Sequence, residues 1–312
     1  MRADAADRPA STTSDGVGTT NEILPSAPAL WPWILVLLFA VLATTGMVLV
    51  VVNGESVLGQ ISYLVAFGLF TVVGAMIVSR DRRNVIGLML LWSALITGLA
   101  FLSGELTTWL VNEGREGPLA LFVGFLNNFG WLLGILPVVF FLPLLFPDGR
   151  LPSRRWRVYV WFVVAFLAIL AVSFVFGQET LTGSGDVGVA NPLYVQAIGD
   201  LPSLDPVIGA LFPLLFGLTL YSLFRRFRRS VGIERQQIKW VAFGFLSGLV
   251  LILASMPITD PALNGLIGGI AFMMFPISIG VSILRFHLYD LDVVVKKAVV
   301  YAALALFATV VY

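Results

Sequence analysis

From Trp33 almost to the last residue, apolar positions fall in blocks of membrane length separated by short polar stretches. The blocks cover 33–52, 57–78, 85–109, 119–146, 158–176, 206–224, 241–256 and 262–284. As helix, a block of about 20 residues spans roughly the 30 Å of a bilayer's hydrocarbon core. A last apolar run, 298–312, is too short to cross. The pattern predicts an all-α fold, a polytopic transmembrane helical bundle of about nine spans with the ninth incomplete. Residues 1–30 carry no apolar period. They are rich in Ala, Ser, Thr, Asp and Gly and contain Pro9, Pro25 and Pro28, which predicts a disordered tail ahead of a membrane domain over 31–312.

The polar stretches orient the blocks. Eighteen of the nineteen Lys and Arg residues lie on the side that alternation assigns to the N-terminus, and Arg115 alone lies opposite. The eighteen acids divide evenly, as expected if basic residues alone set orientation. This predicts a cytoplasmic N-terminus in the cell (inner) membrane. The densest stretch, RRFRRSVGIERQQIKW, carries Arg225, Arg226, Arg228, Arg229, Arg235 and Lys239 between two apolar blocks. Its ERQQIKW part reads as the beginning of the next helix or an interfacial turn before it, with Arg235 and Lys239 four apart on one face. A second stretch, LFPDGRLPSRRWR, sets a Pro-Asp-Gly turn before Arg150, Arg154, Arg155 and Arg157. Both read as topology anchors on anionic lipid headgroups. The Arg225 stretch also suits coupling to a neighbouring domain. Nucleic acid is no partner for bases placed between membrane spans.

Composition agrees and removes several chemistries. Hydrophobic residues make up 58% and charged residues 12% of the chain, where a soluble domain carries about 25% charged residues. The lack of cysteine excludes disulfides, thiolate catalysis and Cys-ligated metals. With His287 the single histidine, no multi-histidine metal site can form. His287 is followed by Leu288 rather than an acid, and it reads as part of an interfacial helix in which Leu288, Leu291 and Val295 share a face.

Within the blocks, Glu105 is the sole ionisable candidate, placed toward the outer end of its span. The lack of acids or bases at mid-span weighs against an ion-coupled transporter. Asn127 and Asn128 suggest hydrogen bonds between helices, and Pro137, Pro143, Pro213 and Pro276 suggest kinks in packed spans. The longest connection between spans, 178–205, contains four acids and no base. Glu105, Trp109 and Asn191 are therefore the candidate ligand-facing residues.

Several phrases in order carry a resemblance: RDRRNVIGLML, LFPDGRLPSRRWR, Asn191-Pro192-Leu193 in the long outer connection, ERQQIKW, and ILRFHLYDLDVVVKKAVVY. Together they cover most of 80–312 and resemble the N-terminal multi-span membrane regions of actinobacterial two-component sensor histidine kinases. The chain departs from the family phrase at His287 and at Val295-Lys296-Lys297, changes that keep the positive charge. The resemblance implies a membrane-embedded input region that acts as a homodimer and signals to a response regulator. ATP and Mg are implied only for a kinase domain downstream of this chain, which itself holds no catalytic motif and no cofactor site. Nine spans starting inside would end outside, so the chain reads as a fragment. A transporter or permease, the sensor region of a cyclase or serine phosphatase, and a scaffold are the alternatives.

Overall fold

A computed structural model describes residues 29–184, 187–199 and 205–286. The expected tail over 1–28, the interfacial segment at His287 and the run 298–312 lie outside the described residues. The helices are α1 (Trp31–Val52), α2 (Val57–Arg80), α3 (Val85–Asn112), α4 (Pro118–Leu145), α5 (Trp156–Phe176), the short α6 (Gln196–Gly199), α7 (Asp205–Arg229), α8 (Gly232–Ser255) and α9 (Pro261–Phe286). Eight of them are long and apolar enough to cross a membrane. The fold is an all-α polytopic bundle.

Local chemistry sets where these helices start and stop. Asn84 caps α3, its side-chain oxygen accepting from the amides of Ile86 and Gly87 at 3.1 and 3.2 Å. Pro118 opens α4, where a missing amide costs nothing. α1 ends with Gly54 at φ 75° and a bond from the Glu55 amide to the Val50 carbonyl, 3.0 Å. α3 ends the same way, with Gly114 at φ 68° and the Arg115 amide on the Leu110 carbonyl, 2.8 Å. Both are Schellman closures, and each needs a residue that tolerates left-handed backbone.

Six helices pack in a closed circuit, α2 to α3, α4, α7, α8, α9 and back to α2. α1 lies outside against α2 and α3, and α5 lies outside against α4. In the middle of the circuit Phe67, Phe70, Phe245, Phe272 and Phe275 meet Ile135, Val138, Val139 and Ser93, and the gap between them has no room for a water molecule. The Phe245 and Phe275 rings meet tilted at 59°, with centroids 4.5 Å apart.

Close approach depends on small residues, because lipid supplies no hydrophobic drive between helices. α2 and α9 run parallel, with Gly265 and Gly269 of α9 against Gly59 and Ser62 of α2. The Ser62 hydroxyl donates to the Gly265 carbonyl at 2.9 Å. A methyl group at Gly269 would land on the Ser62 side chain, and one at Gly244 of α8 on Ser278 of α9.

The structure corrects the Arg225 region. The chain does not leave the helix near residue 224. α7 continues through Arg229 and the connection is only Ser230 and Val231, while ERQQIKW forms the first turns of α8, the helical one of its two expected placements. The sixteen-residue charge island is thus mostly helix, and Gln237 and Ile238 within it are buried. The long connection after α5 also holds more order than its composition suggests. Residues Thr180–Thr182 (β1) and Gly188–Ala190 (β2) pair antiparallel as a small hairpin.

Candidate functional site

The hairpin seats on the ends of α3 and α4. Leu181, fully buried, packs over Gly124 of α4, which has no side chain to hold it off. The side-chain amides of Asn127 and Asn128 both donate to the Thr182 carbonyl, at 2.9 and 3.2 Å. These two asparagines therefore bind the hairpin rather than hydrogen-bonding a neighbouring helix. Thr108 of α3 donates to the Ser184 carbonyl at 2.8 Å, and the Ser184 amide reaches the Gly104 carbonyl at 3.3 Å.

Beneath this cap lies Glu105, at 0% exposure. Asn53, the residue that closes α1, donates from one side-chain nitrogen to both Oε2 and the backbone carbonyl of Glu105, each at 3.0 Å. The other carboxyl oxygen, Oε1, is buried without a hydrogen-bond partner, and so is Oδ1 of Asn53. The Ser184 hydroxyl and the Glu55 carboxyl are further neighbours. Glu105 is level with the end of α1 while α3 runs on to Asn112, about two turns further. Sequence spacing places Glu105 near this end. It gives no sign of the Asn53 contact, which joins residues 52 positions apart.

The other two candidates at this end have different surroundings. Trp109 is half-buried, with the Arg115 guanidinium 5.5 Å from its ring centroid. Asn191 is buried and its polar atoms are used within the fold. Its side-chain nitrogen donates to the Val175 and Gln178 carbonyls at 2.7 and 2.8 Å, and its oxygen accepts from the Leu193 amide at 2.9 Å. It ties the end of α5 to the connection. A second feature here is an open cleft of about 370 Å³ between the starts of α2 and α9, lined by Gln60, Tyr63, Thr259 and Asn264.

At the opposite, basic end the sequence candidates separate into one buried clamp and an exposed rim. Arg226 donates to the Phe146 and Arg150 carbonyls and pairs with Asp148 Oδ1 at 2.8 Å. Gly149 at φ 71° lets the turn close around that guanidinium. Arg225 is half-buried. Arg150, Arg154, Arg155, Arg228, Arg229, Arg235 and Lys239 are exposed. Arg235 lies over the Phe227 ring at 4.9 Å and Arg228 over Phe224 at 5.9 Å, so two of the rim cations are braced by α7 aromatics.

The polar chemistry thus sits at two ends, separated by a dry aromatic middle. Among the described residues, no three or more His, Cys, Asp or Glu side chains come together as a metal-binding group. Comparison of the chain with protein-family models, with curated proteins and with solved structures gave no match.

Proposed function

We propose that this chain is the membrane-embedded input region of a signal-transducing protein, most simply a sensor histidine kinase whose catalytic part lies downstream. In this reading the N-terminus and the basic end face the cytoplasm, and the hairpin end faces outward across the cell membrane. Eighteen basic residues against one support that orientation. The bundle is a homodimer, and its output reaches a response regulator through a domain that binds ATP and Mg.

One observation carries the choice between an input region and a carrier. The gap among Phe67, Phe70, Phe245, Phe272 and Phe275 at the centre of the helix circuit holds no water-sized space. A carrier normally places its substrate near the midplane, on broken helices or ionisable groups. Here α4 stays helical through Pro137 and Pro143, and the buried acid is at one end. The polar groups are arranged to sense at the capped end and to transmit at the clamped end.

The test uses the product of the full reading frame in native membranes, incubated with γ-labelled ATP. The reading expects an acid-labile, alkali-stable phosphoryl label, the signature of phosphohistidine, while the isolated 312-residue chain hydrolyses no ATP. Solute flux through proteoliposomes containing this chain alone would overturn it.

A further inference from the structure

Four features at the capped end point to the same kind of ligand. Glu105 Oε1 and Asn53 Oδ1 are both buried and both lack a hydrogen-bond donor. Each is a hard oxygen shielded from solvent whose lone pairs no hydrogen bond fills, and the Ser184 hydroxyl stands beside the Glu105 carboxyl. Asn53 closes α1 at its C-terminus, where the partial negative charge of the helix dipole gathers. Glu55, the charged neighbour of Glu105, adds a second carboxyl. Among the described residues no cationic side chain answers them. Of these residues the one Lys or Arg at this end, Arg115, lies over Trp109, and Arg226–Asp148, the ion pair found among them, is at the far end.

A carboxyl group without a counter-charge is costly to bury, and two unfilled oxygen acceptors add to the cost. Both costs fall when a small positive ion enters. We infer that Glu105 and Asn53 form a binding site for a small monovalent cation, a proton or sodium, reached from the hairpin end. Oxygen donors suit either, since both are hard acids. The groups beside Glu105 are Asn53 and Glu55 from the α1–α2 turn and Ser184 from the hairpin, which Thr108 of α3 holds in turn. Because Ser184 is held by Thr108 and Gly104, filling the site also bears on the seating of the hairpin. The inference deepens the input-region reading by naming its ligand class, but it is read on the chain alone and needs no output domain.

The experiment uses the whole chain in lipid nanodiscs. Infrared difference spectra are taken across about pH 4 to 9, with sodium or with choline as the salt, and sodium retention is measured with the radioactive ion. The expected result is a carboxylic C=O band that appears as pH falls and is missing in Glu105→Gln. If sodium shares the site, it suppresses that band at fixed pH and is retained by the wild type. If the proton alone is the ligand, choline and sodium give the same titration. Glu55→Gln leaves the two oxygens in place, so it guards against a misfolded Glu105→Gln, and it weakens cation binding severalfold by removing a negative neighbour. A Glu105 carboxyl that stays in one form throughout, with no sodium retained, overturns the inference. That result would leave the phosphohistidine test of the input reading untouched.

Discussion

Arg226 near the end of α7 and Asp148 in the α4–α5 turn form an ion pair at 2.8 Å, although they are 78 positions apart. The same guanidinium takes the Phe146 and Arg150 carbonyls, so one side chain closes the turn from three sides. The two members are unequal. The Arg226 side chain is 13% exposed and that of Asp148 is 55% exposed. The Coulombic part is screened by solvent, and the carbonyl bonds do most of the holding.

That inequality predicts an asymmetric pair of mutants. Arg226→Ala leaves two carbonyls without their donor and lowers stability by about 1–3 kcal/mol. Asp148→Asn costs about 1 kcal/mol or less. Arg226→Lys falls between, because a point charge cannot fork to several acceptors. Thermal unfolding in detergent micelles reads the order. Equal losses for Arg226→Ala and Asp148→Asn would show that the charge pair, not the carbonyls, closes the turn.

Helix contact through glycine gives a second prediction. Gly269→Ala forces a methyl group onto Ser62 at the α2–α9 seam, an overpacking that costs about 1–3 kcal/mol. Gly217→Ala in α7 meets nothing within 4 Å and is neutral, or stabilising by up to about 1 kcal/mol through helix propensity. The same chemical change thus has opposite expected signs, and one series of melting curves checks both.

The hairpin provides a third. Replacing Asn127 and Asn128 together with Leu removes both donors to the Thr182 carbonyl. Hydrogen exchange at Thr180–Ala190 should then quicken strongly, while α8 and α9 keep their protection. Unchanged exchange at the hairpin would mean that Leu181 and the Ser184 contacts to Thr108 and Gly104 seat it without the asparagines.

Much of the bundle is legible from apolar block length, because each helix must match one bilayer thickness. All eight crossing helices sit where the blocks predict, within a few residues at most ends. The two exceptions flank the Arg225 stretch, where α7 ends past its block and α8 starts at Gly232, well ahead of its own. Block length ends a span where arginines begin, yet α7 carries its helix through Arg229, because Arg226 turns inward to the α4–α5 turn and Arg228 leans on Phe224. Long basic side chains cover helix ends without ending the helix. The candidate site is less legible. Glu105 stands out as an ionisable residue within an apolar block, but Asn53 reads only as a turn residue. Asn191 stands out in an outer connection, although its polar atoms are taken by the end of α5 and by Leu193. Pairing across 52 positions or more leaves no periodic trace in a single chain.

The two-ended arrangement can be tested by impermeant maleimide labelling of intact cells. The chain has no cysteine, so single replacements report without background. Ala190 on the hairpin is exposed, and Val231 at the α7–α8 connection is 81% exposed. Its neighbour Ser230 is buried with its hydroxyl on the Phe227 carbonyl, and would report burial rather than sidedness. The account predicts that Ala190→Cys is labelled from outside and Val231→Cys only after the membrane is permeabilised. Labelling of Val231→Cys in intact cells, with Ala190→Cys protected until permeabilisation, would contradict it.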